Sequence, residues 1–275
     1  IRVEQPEVFQ ATHALALRLL AEGKATGLRI DHPDGLWDPP RYFRQLQASY
    51  AELVAARADA GWGHAGRAAQ PERRLYVVAE KILASGETLP RAWEINGTTG
   101  YDFLNAMNGL FVQRDNAAVF QTTYSHFIGD TTNIGQLANS AKKMIMLVSL
   151  ASEINELSHQ LERIAECNRR YRDFTLGSLT FAIREVIACL PIYRTYMTGP
   201  ESVTPRDQAA IEAAVGEAKK RNPRTAEAIF DFLRDTLLFR NVERFAADDR
   251  ARLTDFVMKF QQLSGPVMAK GVEDT

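Results

Sequence analysis

Hydrophobic and polar positions along the chain follow two rhythms. Up to residue 102, short apolar runs alternate with segments whose apolar residues recur every three or four positions; after residue 103 only the helical spacing persists. Residues 1–4 read as the end of a strand. Pro6 then opens a helix with Val8, Thr12, Leu15 and Leu19 at helical spacing and Gly23 as its C-cap, and the run 25–31 follows as a strand. Asp38, Pro39 and Pro40 mark a turn and the start of a helix over 40–59 that carries Phe43, Leu46, Tyr50 and Leu53 or Val54. The polar, Gly-containing stretch 61–72 reads as a surface loop. Residues 75–83 read as a second buried strand, and 84–102 as a loop rich in Gly, Thr and aromatic residues. A helix leading directly into a strand is the step that a parallel α/β barrel repeats.

The second rhythm predicts helices in succession. Leu147, Leu150, Ile154, Leu157, Leu161 and Ile164 form one apolar stripe. Leu179, Ile183, Val186, Ile187 and Leu190 form another, in a helix near 176–197 interrupted at Pro191. Thr204 followed by Pro205 is an N-cap with proline at the first helical position; Thr225 is an N-cap candidate ahead of Ile229, Phe230, Leu233 and Leu237; a last helix covers roughly 249–263. This block is too long and too helical for a barrel crossover, so it reads as an inserted all-α domain. There is no internal repeat and no low-complexity segment.

Composition narrows the classes. The 275 residues fit one large domain or two ordinary ones, and 45% hydrophobic with 24% charged residues is normal for a globular protein. A net charge of −1 gives no general attraction to nucleic acid or acidic membranes, and no apolar run approaches the roughly 20 residues needed to span a bilayer, so neither partner is expected. Cys167 and Cys189 lie in helical patterns without metal-ligand spacing and read as reduced, buried thiols of a cytoplasmic protein. His13 and His159 fall inside helices, again without ligand spacing, and no metal site is expected. The basic runs at 142–143 and 219–221 read as solvated faces.

Candidate chemistry starts at T-G-L-R-I-D-H-P-D-G-L, residues 26–36, which begins as an apolar strand and ends in a polar turn. Strand alternation puts Arg29 and Asp31 on one face, and a guanidinium beside a carboxylate keeps it ionised and aimed, as a nucleophile requires. A purely structural ion pair at a strand end explains the same spacing. The stretch L-Y-V-V-A-E-K-I-L delivers a second acid, Glu80. Two strands each ending in one carboxylate suit glycoside chemistry: one acid attacks the anomeric carbon and the other protonates the departing oxygen, with retention if the carboxyls stand about 5–5.5 Å apart.

G-L-R-I-D-H at 27–32 resembles the nucleophile motif of the α-amylase clan of glycoside hydrolases, and V-V-A-E-K-I at 77–82 resembles its acid/base motif. The longer runs G-L-R-I-D-H-P-D-G-L, N-G-T-T-G-Y-D-F, E-I-N-E-L-S-H, I-Y-R-T-Y and G-P-V-M-A-K-G-V-E-D-T, in that order, resemble the maltooligosyltrehalose synthase family of that clan from end to end. The resemblance implies an α/β fold: part of a (β/α)8 TIM barrel in residues 1–102, a large all-α inserted domain in 103–264, and a return toward the barrel in 265–275. With no initiator Met and an end inside a family motif, the chain reads as an internal piece of a longer protein. The clan's early motif with an Asp and an Asn-His pair, and its later His-Asp motif, are missing from residues 1–275, so the chain alone is expected to be inactive.

In the same terms Asp31 is the nucleophile, Glu80 the general acid/base and Arg29 the residue that orients Asp31. His32 and Asp34 in the turn are implied substrate contacts, though Asp34 with Gly35 would equally stabilise the turn itself. Thr98, Thr99, Tyr101 and Asp102 are further candidates, for which hydrogen bonding within the loop is the competing explanation. Tyr193, Arg194 and Tyr196, at the helix break by Pro191, and Lys270 complete the set. The implied reaction turns the reducing-end α-1,4 linkage of a maltooligosaccharide into an α,α-1,1 linkage without any cofactor, and a maltooligosyltrehalose hydrolase would act next. An α-amylase-like hydrolase or glucanotransferase would use the same two acids, and a helical interaction module with vestigial site residues is the reading from a different class.

Overall fold

Pro6 contributes a fixed φ and no N–H, which suits the first turn of α1 (Pro6–Ala21), and Gly23 at φ +70° closes that helix with its N–H on the Leu20 carbonyl. The computed structural model describes residues 1–59, 74–131 and 133–273; the loop expected over 61–72 lies outside the described residues. The chain divides into two units, Ile1–Phe103 and Leu104–Thr275.

In the first unit, β1 (Gly27–Ile30), β2 (Tyr76–Ala79) and β3 (Gly97–Thr98) form a parallel sheet in that order, with α2 (Pro39–Asp59) between β1 and β2 in sequence. Phe9, Leu20, Phe43, Leu46, Leu75, Val77, Ala79 and Trp93 are its buried apolar residues. Each large side chain so buried contributes about 1.5–3 kcal/mol. The side-chain amide of Gln47 on α2 bonds the Leu75 N–H and carbonyl and the Glu94 carbonyl, so helix and sheet are joined by hydrogen bonds as well as by packing.

Three expectations shift. Residues 1–4 form a turn rather than a strand. The buried face of α1 carries Phe9 and Leu20, whereas Leu15 is 58% exposed. The reason is His13, whose ring stacks on Phe9 at 4.1 Å and whose Nε2 meets the Tyr42 hydroxyl at 2.8 Å, turning the helix by about one position. The third strand, β3, falls inside the stretch expected as loop. It is two residues long, and much of its anchoring comes from Asn96, whose N–H and side-chain oxygen both bond Val77.

α3 (Tyr101–Gly109) spans the division between the units. It is followed by α4 (Ala117–Ile128), α5 (Ile134–Val148), α6 (Ala151–Glu166), α7 (Leu176–Cys189), α8 (Pro205–Arg221), α9 (Glu227–Leu237) and α10 (Ala247–Met268), ending in a π turn over Ala269–Glu273. The core runs from Met146 through Leu161, Ile183, Ile211, Phe230 and Phe256 to Val267. Thr204 caps α8 as expected, in a capping box with Asp207. The stripe beginning at Leu147 belongs to two helices, because the backbone breaks at Ser149 and Leu150; Leu147 is exposed on the end of α5. Ala226, not Thr225, is the N-cap of α9; the Thr225 N–H turns back to the Asn222 carbonyl. Cys167 is exposed rather than buried, and neither cysteine is in a disulfide. Residues 265–273 continue α10 and its π turn, with Gly271 so close to α5 that a Cβ there would meet Lys142 Cα at 2.9 Å.

The described residues are thus mostly helical with a small parallel sheet and do not themselves close a barrel. No helix among them is long and apolar enough to cross a membrane. Lys142, expected on a solvated face, is buried: on α5 it shares its face with Asn139 and Met146, and its Nζ donates to the Leu190 carbonyl at 3.2 Å. Its neighbour Lys143 pairs with Glu185, and Lys219 pairs with Glu227 and Asp231.

Burial pushes the Lys142 ammonium from 10.5 down to about 8. Between pH 8 and 10.5 the unfolded chain therefore holds a proton at this position that the folded chain has released. The Lys142 contribution to stability is present above the unfolded value and lost as pH falls through the folded one. Urea midpoints are accordingly expected to rise with pH across that interval, and Lys142→Met to remove this component. Parallel pH dependence in wild type and variant would contradict the assignment.

Candidate active site

The register of β1 on β2 sets the site. Arg29 pairs with Val78 and Ile30 with Ala79, and the Glu80 N–H continues the ladder onto the Ile30 carbonyl at 2.8 Å. Asp31 and Glu80 therefore leave adjacent parallel strands at the same height, where neighbouring backbones are about 4.8 Å apart. Arg29, two residues before Asp31, reaches both acids. Its Nη1 donates to Asp31 Oδ1 at 2.7 Å, and its Nη2 lies 3.4 Å from Glu80 Oε1. The three groups differ in exposure: the Asp31 side chain is 74% open to solvent, that of Arg29 half-exposed, that of Glu80 24%.

Charge follows this geometry. The hydrogen bond from Arg29, and next one shared with Glu80, hold the Asp31 carboxyl below the usual carboxylate range, and Asp31 in turn raises Arg29. Glu80 is held at both oxygens: Oε2 accepts from the His32 backbone N–H at 3.0 Å, and the Tyr101 hydroxyl lies 3.5 Å from Oε1.

The turn after Asp31 is strained where it matters. His32 sits at φ +39°, ψ +56°, a left-handed conformation that costs a non-glycine residue energy. This conformation aims its N–H at Glu80, and its ring lies over Gly35, where a Cβ would meet His32 Cδ2 at 2.7 Å. Asp34 faces the other way. It is 2% exposed and paired with Lys81, so its expected contact with substrate is replaced by an inward ion pair. In the loop beyond β2, Thr98 donates to Asp102 at 2.7 Å and accepts from the Gly100 N–H, which is the loop-internal arrangement; that hydrogen bond from Thr98 is the main cause that lowers Asp102. The Thr99 N–H bonds the Ala79 carbonyl while the residue stays exposed. Of these four loop residues, Tyr101 is the one whose side chain reaches Glu80.

Tyr193, Arg194, Tyr196 and Lys270 belong to the second unit. Arg194 is 1% exposed, with Nε on the Thr195 carbonyl and the guanidinium 5.2 Å from the centre of the Tyr196 ring. The guanidinium is thus packed inside the helix break that follows α7. Tyr193 is likewise buried, and Lys270 is exposed on the π turn. Sequence reasoning missed Lys81 and Glu87, whose buried side chains meet at 3.2 Å. The available signal was a lysine inside the apolar run V-V-A-E-K-I-L. Among the described residues no group of three or more His, Cys, Asp or Glu side chains is arranged to hold a metal ion.

No protein-family model matches the chain. Two curated relatives, putative maltooligosyl trehalose synthases from two strains of Mycobacterium tuberculosis, are 26% identical over 274 residues. The alignment covers all of this chain, which spans 29% of their length. Among solved structures, maltooligosyltrehalose synthase from Arthrobacter ramosus is 30% identical with a TM-score of 0.73, over the whole of this chain and 29% of that one. The hypothetical maltooligosyl trehalose synthase of Sulfolobus tokodaii is 27% identical with a TM-score of 0.62, over the whole of this chain and 28% of that one. The resemblance to maltooligosyltrehalose synthases carried by the motifs thus extends over the full chain.

The Arg29–Asp31 pair makes a pH prediction. Asp31 has a lower pKa folded than unfolded, so its contribution to stability is present above 3.8 and lost as pH falls through the folded value. Arg29→Met is expected to return the Asp31 carboxyl toward 3.8 in a carbon-detected NMR titration, and about 1 M salt to shrink the shift in wild type, since the pair is exposed. A titration curve unmoved by the substitution would show that Arg29 is not the cause.

Proposed function

We propose that this chain carries the nucleophile and the acid/base of an enzyme that isomerises the reducing end of maltooligosaccharides into an α,α-1,1-linked trehalose unit. The barrel that houses them would be a (β/α)8 barrel completed by strands outside residues 1–275. One observation carries the reading: Asp31 and Glu80 stand side by side on adjacent parallel strand ends, joined by one guanidinium, in a chain whose relatives are named maltooligosyltrehalose synthases.

Asp31, kept ionised by Arg29, attacks C1 of the glucosyl unit next to the reducing end and forms a covalent glycosyl-enzyme, while Glu80 protonates the departing O4. The freed glucose stays bound and turns to present its anomeric hydroxyl. Glu80, now a base, takes the proton from that hydroxyl as its oxygen attacks C1 and displaces Asp31. Two inversions at C1 give net retention. The His32 N–H and Tyr101 keep the Glu80 carboxyl aimed through both steps. Water must be excluded while the intermediate lives, because hydrolysis would release glucose instead. No step calls for a redox or nucleotide cofactor. The capped product would be a substrate for a maltooligosyltrehalose hydrolase.

The test uses the complete protein with maltopentaose. Reducing ends are expected to disappear without a change in product mass, and Asp31→Ala to slow this on the order of 10⁴-fold. Shorter maltosaccharides as the products would assign a hydrolase or glucanotransferase. An Asp31→Ala protein with unchanged function would assign an interaction module. Purified residues 1–275 alone are expected to give no capped product; formation of trehalose-capped sugar by that piece would contradict the shared-barrel reading.

A further inference from the structure

Glu80 and Lys81 are consecutive, so strand alternation sends them to opposite faces of β2. Lys81 continues the buried face of Leu75, Val77 and Ala79, and its side chain is fully buried. Its Nζ lies 3.0 Å from Asp34 Oδ2 and 3.2 Å from Glu87 Oε1, and both of those side chains are almost completely buried as well. Asp34 stands three residues after Asp31, in the turn Pro33–Gly35. Glu87 closes the loop after β2, with its other oxygen on the Ala84 N–H at 2.9 Å and its own N–H on the Ala84 carbonyl.

A buried ammonium is tolerated only when charge and hydrogen bonds surround it, so this group has strong reason to keep one geometry. Its two carboxylates come from the segments that immediately follow the two chemistry-bearing residues. We propose that Lys81 is the positioning residue of this site: held between Asp34 and Glu87, it ties the turn after β1 to the loop after β2 and so fixes the gap between the Asp31 and Glu80 carboxyls. That gap separates chemistries. About 5–5.5 Å serves a covalent retaining mechanism, whereas about 6.5–9.5 Å admits a water between acid and sugar. Lys81 does not touch the reacting atoms; it acts through the turn and the loop. The inference rests on the proposed function for its product readout but not for its rate readout.

The experiment compares wild type, Lys81→Met and Asp34→Asn in the complete protein with maltopentaose. Circular dichroism and the thermal midpoint establish which variants are folded. Lys81→Met keeps length and volume and removes the charge; Asp34→Asn keeps an acceptor for Lys81 and removes one arm of the ion pair. In a folded Lys81→Met protein kcat is expected to fall about 10²-fold, as misplacement of a reacting group by an ångström does. KM is expected to stay within about twofold, and the share of free glucose among the products to rise. Asp34→Asn is expected to move kcat and the glucose share the same way, by about tenfold in kcat. A lysine that merely stabilised the fold would lower the thermal midpoint and leave kcat of the folded protein and the product ratio unchanged; that result overturns the proposal. If Lys81→Met does not fold, Asp34→Asn decides alone: wild-type kcat and product ratio overturn it, and a fall in kcat at constant KM supports it. Should wild type only hydrolyse maltopentaose, the function proposed above falls, while the same split between kcat and KM, read on hydrolysis, still tests Lys81.

Discussion

A single backbone register governs what this chain can do. With Arg29 beside Val78 and Ile30 beside Ala79, the residues that follow leave the sheet at one height, and Glu80 is still hydrogen-bonded to Ile30 as it does so. A slip of one residue would exchange the faces of β2 and place Lys81 where Glu80 stands. What prevents the slip is burial: Leu75, Val77 and Ala79 fill one face, and moving them to the other would expose three apolar side chains. The core therefore selects which acid faces Asp31, and selects it through apolar side chains that take no part in chemistry.

The same alternation separates two electrostatic jobs. On one face, Arg29, Asp31 and Glu80 meet with solvent close by, where charges are screened. On the other, Lys81, Asp34 and Glu87 meet away from solvent, where breaking an ion pair is costly. Neutralising charge in the exposed trio would cost the fold little. Neutralising it in the buried trio would disturb both segments that carry the acids. The strained left-handed backbone of His32 belongs to this arrangement, since it lies between Asp31, which faces out, and Asp34, which faces in.

The acids were legible because their placement depends on short-range geometry. Arg29 and Asp31 share a face by covalent spacing alone, and Glu80 ends an apolar run whatever that run packs against. Most helices after residue 103 were legible for a similar reason: Thr204 with Pro205 and the stripe through Leu161 and Ile183 are local signals. The misses depend on partners far away in sequence. β3 exists because Asn96 bonds Val77, which no periodicity reveals. Lys142 looked solvated beside Lys143, but a helix turns about 100° per residue, so adjacent lysines seldom share an environment. Here one meets the Leu190 carbonyl and the other Glu185. The burial of Arg194 is of the same kind: the sequence shows a charged residue at a helix break, and only the packed structure shows its Nε on the Thr195 carbonyl and its guanidinium beside the Tyr196 ring.

Gln47 has a consequence for how related proteins can vary. One amide on α2 accepts from the Leu75 N–H and donates to the Leu75 and Glu94 carbonyls, and so pins the chain where it enters β2. The height at which Glu80 emerges is thereby set from α2 as well as from β1. Related proteins that keep this glutamine should hold the start of their second strand at one height against the helix, and with it the spacing of their two acids.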